Sequence, residues 1–204
     1  MTLSLPQMLY LLAYDPRRRR MTSVRELGLT VRAGALTELF MTGHLRDDGG
    51  RARAQGAAAF DDPLLDEVYQ QIAADRPRRW QYWVNRHDRK AVRTVRDRLS
   101  TDGVIRLDRV RLLGLFLSTS VTVQDPQVVA ELADRVRATL TGVGRDGRDA
   151  ALVALAARAE MRTVLPRKVR AQHKQRIDQL AETTGPVAQA LRRAISSRRA
   201  AAAS

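Results

Sequence analysis

The chain has 204 residues, of which 44% are hydrophobic and none is cysteine. This length and apolar content suit one folded domain and exclude a chain that is disordered throughout. The absence of cysteine excludes disulfide scaffolds, thiolate metal sites and cysteine nucleophiles. With a formal net charge of +14, the chain is expected to bind a polyanion: nucleic acid, an anionic membrane surface or an acidic protein.

The excess positive charge is concentrated in one stretch. Residues 76–111 contain twelve basic residues and four aspartates, and so carry a net charge of +8. Lysine supplies only three of the 36 basic residues, a bias typical of a GC-rich bacterial genome that raises arginine everywhere. Because such a bias would distribute arginine more evenly, the local excess favours a function for this stretch.

No segment has the pattern of a signal peptide or of a membrane-spanning helix. The apolar run MLYLLAY (8–14) is short, and the basic run RRRR (17–20) follows it instead of preceding it. We therefore expect a cytoplasmic protein that associates with membranes peripherally.

Most of the chain is predicted to be helical. Asp62–Pro63 and Asp125–Pro126 each provide an N-cap followed by a first-turn proline, before PLLDEVYQQIAAD and QVVAELADRVRATL respectively. RDAALVALAARAEM (148–161) has small apolar residues on all sides, which predicts a central, buried helix. A last helix is predicted after Gly185–Pro186.

Two stretches favour β-hairpins. GHLRDDGGRARAQG (43–56) has paired glycines between alternating flanks, which indicates a hairpin or a loose loop. GVIRLDRVRLLGLFLSTSVTV (103–123) reads as two strands around the apolar run 112–117, which would be an exposed contact surface at a hairpin tip. The predicted fold is a mainly α-helical single domain over 1–196, with a projecting β-hairpin, a second short hairpin and a disordered tail at 197–204.

Patterns for catalysis or metal binding are weak. His44, His87 and His173 are scattered, and Asp61–Asp62 lies at a helix start, where capping explains it. No glycine-rich phosphate loop occurs in the sequence. We expect a protein that is not an enzyme, with no catalytic residue, no cofactor and no metal site.

The arginines of VRTVRDRL (92–99) are the strongest binding motif. Arg93 and Arg96 are three residues apart and would share a helix face, with Arg98 turned away. Guanidinium groups one turn apart can each donate two parallel hydrogen bonds to one phosphate. The alternative for each of these side chains is a solvated surface arginine.

Arg32 and two tryptophans are further candidates. Arg32 is expected in the first turn of a helix capped by Thr30, where a bound anion would relieve its conflict with the helix dipole; the alternative is a solvated side chain. Trp80 and Trp83 are expected to pack in the core, with an interfacial membrane anchor as the alternative.

Four stretches, in order, resemble the Golgi phosphoprotein 3 family, and a fifth is similar to a later family helix. They are TLSLPQMLYLLAYDPRRRRMTS, VRAGALTELFMTGHL, DPLLDEVYQQI, VRTVRDRLSTDGVIRLD and RDAALVALAARAEMRTVL. Together they span about residues 2–165. The resemblance implies a largely α-helical fold with a projecting β-hairpin, and a peripheral membrane protein that binds phosphatidylinositol 4-phosphate.

The resemblance also implies which residues bind the lipid head group. The family's head-group arginines correspond to Arg32, Arg93 and Arg96. The family's site includes a tryptophan in the loop before the first helix. Here that loop is shorter, and the nearest counterpart is Arg25.

The resemblance further implies that an apolar hairpin tip around Leu112 and Leu113 inserts into the membrane. Expected partners are an anionic phosphoinositide, a client membrane protein and, through the hairpin, a second copy of the chain. Two alternatives stay open: a winged-helix-like DNA-binding protein with VRTVRDRL as recognition helix, and an adaptor whose basic surface binds acidic proteins. Nucleic acid is the less favoured partner because the apolar run would make a poor DNA-contacting wing.

Overall fold

Helices make up most of the described chain, which in this computed structural model comprises residues 2–112, 116–143 and 146–203, without the side chains of 109–112 and 116–118. In these residues the α-helices are α1 (Leu5–Leu12), α2 (Val24–Met41), α3 (Pro63–Ala73), α4 (Trp80–Asn85), α5 (Asp88–Thr101), α6 (Pro126–Leu140), α7 (Gly147–Arg158), α8 (Arg167–Gln172), α9 (Lys174–Ala181) and α10 (Val187–Ala201). The prediction of a mainly helical single domain is confirmed.

Short strands form three small antiparallel sheets in the same residues. The strands are β1 (Tyr14–Asp15), β2 (Arg20–Met21), β3 (Leu45–Asp47), β4 (Arg51–Ala54), β5 (Arg78–Arg79), β6 (Ile105–Leu112) and β7 (Phe116–Val123). They pair as β1–β2, β3–β4–β5 and β6–β7. The two predicted hairpins are therefore confirmed, whereas the β1–β2 hairpin and the added strand β5 were not predicted.

Three helices form the centre of the core. All eight residues of α1 are buried, as are residues 150–157 of α7. Helix α2 packs against both. It approaches α1 closely at Gly34, where a Cβ would lie 2.8 Å from Cδ1 of Leu9 and 3.1 Å from backbone atoms of Pro6. The central helix predicted over 148–161 is confirmed, although it ends at Arg158.

The caps predicted at Asp62 and Asp125 form as expected. Oδ1 of Asp62 accepts hydrogen bonds from the backbone N–H of Leu64 at 2.8 Å and of Leu65 at 3.1 Å. Oδ2 of the same carboxylate accepts from the Ser4 hydroxyl at 2.6 Å, which joins the start of α3 to the start of α1. Asp125 caps α6 in the same way, through the N–H of Gln127 at 2.9 Å. Local capping chemistry thus decides where these helices begin.

Helices α2 and α5 cross closely, and this crossing determines which face of α5 is exposed. A Cβ on Gly28 would lie only 2.6 Å from the backbone oxygen of Asp88. Beyond the crossing, α5 buries Ala91, Val95 and Leu99, which recur every four residues. The arginines between them are consequently directed to the edges and outer face of the helix.

The β6–β7 hairpin leaves the core from a buried base. The register runs from the pair Ile105–Val123 to the pair Leu112–Phe116. Ile105 and Val123 are buried, whereas Ser120, further along β7, is exposed. The predicted insertion residue Leu113 and the side chain of Leu112 lie outside the described residues.

Helix α10 continues beyond the boundary predicted at residue 196. It extends to Ala201, and its last turns are held by ion pairs to other helices. Arg198 lies 2.8 Å from Asp88, and Arg199 lies 3.3 Å from Glu26. The predicted tail has no apolar stripe, but contacts between oppositely charged side chains hold residues 197–201 in the helix.

Candidate anion-binding site

The exposed face of α5 carries the two arginines that the sequence singles out. Arg93 is exposed and has no ion pair within the described ranges. Arg96 donates from Nε and Nη2 to Oδ1 of the adjacent Asp97, at 2.9 and 2.8 Å. Arg98 faces elsewhere, since its Nε lies 2.8 Å from Asp102. Arg93 and Arg96 thus lie one turn apart with Arg98 turned away, as predicted.

A groove of about 910 Å³ lies between the first turns of α2 and α5 and the end of α10. Arg25, Arg89 and Arg198 line it, together with the carboxylate of Asp88. Asp88 is paired with Arg198, which leaves Arg25 and Arg89 exposed and without an ion pair to any described residue. The groove therefore has a net positive charge.

The groove and the exposed face of α5 form one continuous basic surface. Arg93 follows Arg89 by four residues, and Arg96 follows the groove residue Val92 by four residues. Residues four apart are neighbours on a helix surface. We call Arg25, Arg89, Arg93 and Arg96 the basic face.

Arg32 is not part of the basic face. Its side chain is completely buried. Its Nε donates to the backbone oxygen of Trp83 at 3.1 Å, and Nη1 and Nη2 donate to Oε1 of Gln71 at 3.3 and 3.2 Å. Burial lowers the pKa of Arg32 to about 10, Glu67 opposes this shift, and the side chain remains charged at neutral pH.

Glu67 balances the buried charge of Arg32 through Gln71. The Gln71 amide donates to Glu67 at 2.8 Å, and the same carboxylate forms an ion pair with Lys90 at 3.1 Å. The guanidinium of Arg32 is thus held by acceptors of the protein itself. Direct contact between Arg32 and a lipid head group stays a prediction, because it requires this side chain to leave Gln71 and Trp83.

The expected position of Arg32 in a first helical turn is wrong. Helix α2 begins at Val24, after Ser23, so Arg32 is its ninth residue. Thr30 lies inside the helix and donates its hydroxyl to the backbone oxygen of Glu26 at 2.9 Å. A conflict with the helix dipole therefore does not arise at Arg32, since the dipole acts within the terminal turns.

Sequence reasoning missed Arg198, which it assigned to a disordered tail. Arg198 also donates to the backbone oxygen of Arg25 at 3.1 Å, and so joins α10 to the start of α2. The available signal was helical spacing, because Arg198 follows Ile195, a buried residue of α10, by three positions.

The two tryptophans pack inside the protein. Trp83 is completely buried and Trp80 is 3% exposed. The indole N–H of Trp80 donates to Asp47 at 2.6 Å, which satisfies its polar atom. Core packing is confirmed, and neither ring is available as a membrane anchor in this fold.

The part of the chain that the structure describes has no helix that is both long and apolar enough to cross a membrane. It also contains no group of three or more histidine, aspartate or glutamate side chains that could hold a metal ion.

Comparison with known proteins identifies the family. The family model described as Golgi phosphoprotein 3 (GPP34) matches residues 5–198, from the first residue of α1 into the last turns of α10. No curated protein matches the chain. The resemblance seen in the separate sequence stretches is confirmed over nearly the whole length. The chain belongs to the Golgi phosphoprotein 3 (GPP34) family.

Proposed function

We propose that the protein is a non-catalytic peripheral membrane module that binds the phosphorylated head group of phosphatidylinositol 4-phosphate or a similar anionic phospholipid. Its family binds this phosphoinositide in general. The observation that carries the proposal is the pair Arg93 and Arg96 on the basic face, with Arg93 exposed and without an ion pair to any described residue.

The members of the basic face would bind the phosphate in different ways. Arg93 can offer two parallel N–H groups to a phosphate without first losing a carboxylate partner. Arg96 would exchange Asp97 for the phosphate, a small cost because the Asp97 side chain is 60% exposed. Arg25 would supply a further positive charge where the family has a tryptophan.

Arg32 would contribute from beneath the basic face. Its hydrogen bond to Trp83 holds the end of α4, and α5 begins five residues later at Asp88. We therefore assign Arg32 to the site as a buried positive charge that positions the start of α5.

Insertion of Leu112 and Leu113 would add an apolar contribution to binding. Each basic residue near an anionic bilayer contributes about 1 kcal/mol, and each buried methylene about 0.8 kcal/mol. A few of each give reversible binding that weakens with salt. A client membrane protein and a hairpin-mediated oligomer remain predictions from the family resemblance.

Liposome flotation of the full chain tests the proposal. The vesicles contain phosphatidylcholine alone or with phosphatidylinositol, phosphatidylserine or phosphatidylinositol 4-phosphate, at matched surface charge. We expect preferential binding to the phosphorylated inositide, and a loss of about tenfold or more in Arg93→Ala/Arg96→Ala.

The control variant is Arg46→Ala/Arg79→Ala. These arginines are exposed on β3 and β5 and form no ion pair with other described residues. Their substitution removes two positive charges, as many as Arg93→Ala/Arg96→Ala removes. Equal losses in the two variants, or equal binding to all anionic vesicles, would contradict a head-group site at Arg93 and Arg96. A mobility shift with random duplex DNA at near-physiological salt would instead support the DNA-binding alternative.

A further inference from the structure

The β1–β2 hairpin carries four consecutive arginines, Arg17–Arg19 in its loop and Arg20 at the start of β2, which we call the arginine turn. All four are exposed. Within the described ranges only Arg18 has a carboxylate within ion-pair distance, Asp15 at 3.9 Å. The turn therefore presents nearly its full positive charge to solvent.

The backbone of the arginine turn is held in one shape. Oδ1 of Asp15 accepts from the N–H of Arg17 at 3.0 Å and of Arg18 at 3.2 Å. The N–H and hydroxyl of Thr22 both donate to the backbone oxygen of Ala13, at 2.7 and 2.8 Å, and close the hairpin. The backbone that carries the four arginines is thus fixed by hydrogen bonds within the hairpin.

Arg19 adopts a backbone conformation that favours glycine. Its φ is +50°, in the left-handed region, where a Cβ is crowded by the backbone. Glycine or asparagine would fit this position with less strain. Strain of this kind at an exposed, unpaired charge points to a role for the side chain outside the fold itself.

The arginine turn lies beside the base of the β6–β7 hairpin. Arg19 and Arg106 line one pocket together with Tyr14 and Thr122, and strand β2 contacts β7. Arg106 is exposed and pairs only with the neighbouring Asp108 among described residues, at 3.1 Å. The arginine turn and Arg106 are far apart in sequence and lie together at the base of the β6–β7 hairpin.

Of the basic face, Arg96 lies nearest in sequence to the base of the hairpin. Helix α5 ends at Thr101 and β6 begins at Ile105, so few residues separate Arg96 from the hairpin base. Helix α5 contacts β6, and strand β2, where the arginine turn ends, contacts β7. Arg96, the member of the basic face closest to the end of α5, and the arginine turn therefore lie on elements that contact the two strands of the hairpin.

The length of the hairpin restricts how it can meet a membrane. Eight residues per strand extend about 26 Å from base to tip. Attraction to an anionic surface decays within a Debye length of about 8 Å at physiological salt. If the tip and Arg96 contact one bilayer at the same time, the hairpin must lie along the surface, and this orientation brings its base to the lipid head groups.

We propose that the arginine turn, together with Arg106, is a second membrane contact that binds the anionic phospholipid surface without selecting a particular head group. The inference rests on the proposed function, since it takes membrane docking of the β6–β7 hairpin as its starting point. The charge, the exposure and the position at the hairpin base suit a lipid surface. An acidic protein or a nucleic acid would need no membrane hairpin beside it.

The triple variant Arg17→Ser/Arg19→Gly/Arg20→Ser tests the proposal, with Arg18 kept because it contacts Asp15. Binding is measured by flotation with phosphatidylcholine vesicles that contain phosphatidylserine and no phosphoinositide. We expect roughly a fivefold loss per arginine, or about 100-fold for the triple variant, and a smaller loss at high salt.

Two controls separate charge and stability from position. The variant Arg46→Ser/Arg79→Ser/Arg192→Ser removes three exposed arginines that have no ion pair in the described part of the chain, and it should bind nearly as well as the wild type. Arg19→Gly alone should leave the melting temperature unchanged or raise it, because glycine relieves the strain at φ +50°. If this single variant binds vesicles more weakly, the loss is then due to the missing Arg19 side chain and not to a less stable fold.

The head-group variant Arg93→Ala/Arg96→Ala distinguishes the two proposals. If the arginine turn acts as proposed, its triple variant loses affinity for vesicles with and without phosphatidylinositol 4-phosphate by the same factor, so that selectivity is preserved.

Wild-type binding by the triple variant, with loss only in Arg93→Ala/Arg96→Ala, overturns the second contact and leaves the proposed function standing. Loss only in the triple variant supports the arginine turn and contradicts the head-group site. Poly-glutamate serves as a probe for an acidic protein. If the triple variant still binds vesicles but no longer binds poly-glutamate, the second membrane contact is overturned in favour of an acidic protein.

Discussion

The Nε of Arg32 on α2 donates a hydrogen bond to the backbone oxygen of Trp83 on α4, at 3.1 Å. The backbone oxygens of the last turn of a helix receive no hydrogen bond from their own helix, and Arg32 supplies a donor to that of Trp83. Through Gln71 the same guanidinium also contacts α3. One buried cation thus joins three helices.

Arg32→Ala should lower the free energy of unfolding by about 2–4 kcal/mol, because it leaves the oxygens of Trp83 and Gln71 without a donor. Arg32→Lys should recover part of this loss by restoring a positive charge and a donor. Urea denaturation measures both. Unchanged stability together with lost lipid binding would contradict a structural role and assign Arg32 to direct head-group contact.

Arg93→Ala/Arg96→Ala should leave the free energy of unfolding within about 0.5 kcal/mol of wild type. Arg93 has no ion pair among the described residues, and Arg96 bonds only its exposed neighbour Asp97. Chemical denaturation beside the flotation assay measures this. A large destabilisation would show that the two arginines support the fold, and reduced lipid binding could then not be read as loss of a site.

Gly28→Ala should destabilise the protein by about 1–3 kcal/mol, because its Cβ would lie 2.6 Å from the backbone oxygen of Asp88 and force α2 and α5 apart. The control is Gly147→Ala, whose Cβ would lie 3.0 Å from the flexible end of Met41 and would meet no other described residue. The control should be neutral or slightly stabilising, since alanine favours the helix. Thermal unfolding of both variants tests the crossing, and equal melting temperatures would contradict it.

Glu38 should make the stability depend on pH. Burial raises its pKa, although the N–H of Leu5 and the guanidinium of Arg148 both donate to it at 2.7 Å. Because the folded pKa lies above the ordinary value of 4.5, the folded state binds this proton more tightly. The resulting stabilisation is fully present below pH 4.5 and is lost as the pH rises through the folded pKa.

Glu38→Gln isolates this effect, because glutamine does not titrate. The wild type should lose stability relative to Glu38→Gln as the pH is raised from 4.5 towards neutrality. Urea denaturation of both proteins across this range measures the difference. A difference that stays constant, or that grows in favour of wild type, would mean that the bonds from Leu5 and Arg148 outweigh burial.

Leu112→Asn/Leu113→Asn should weaken vesicle binding by about tenfold or more, because it removes apolar side chains from the proposed insertion site. Unlike the loss in the arginine variants, this loss should persist at high salt, since screening acts on charges and not on apolar burial. Flotation at two salt concentrations separates the two contributions. Wild-type binding by this variant would contradict membrane insertion of these leucines.

Local patterns predicted the starts of α3 and α6 and the two hairpins correctly. The cap at Asp62 depends on N–H groups two and three residues away, and the β6–β7 hairpin on alternation within one short stretch. The beginning of α2 was misplaced because Ser23 provides no side-chain cap, whereas Thr30 resembles one but lies inside the helix.

The sequence by itself determined the helical class, the caps of α3 and α6, the two hairpins and the pairing of Arg93 and Arg96 on one helix face, because each depends on residues close together in the chain. Only the tertiary structure decided which cations remain available to a ligand. Arg32 is buried against Gln71 and Trp83, Arg198 is paired with Asp88, and Arg19 lies beside Arg106. The physical reason is that exposure and charge compensation depend on which distant helices and strands pack together, and the local pattern of the sequence does not contain that information.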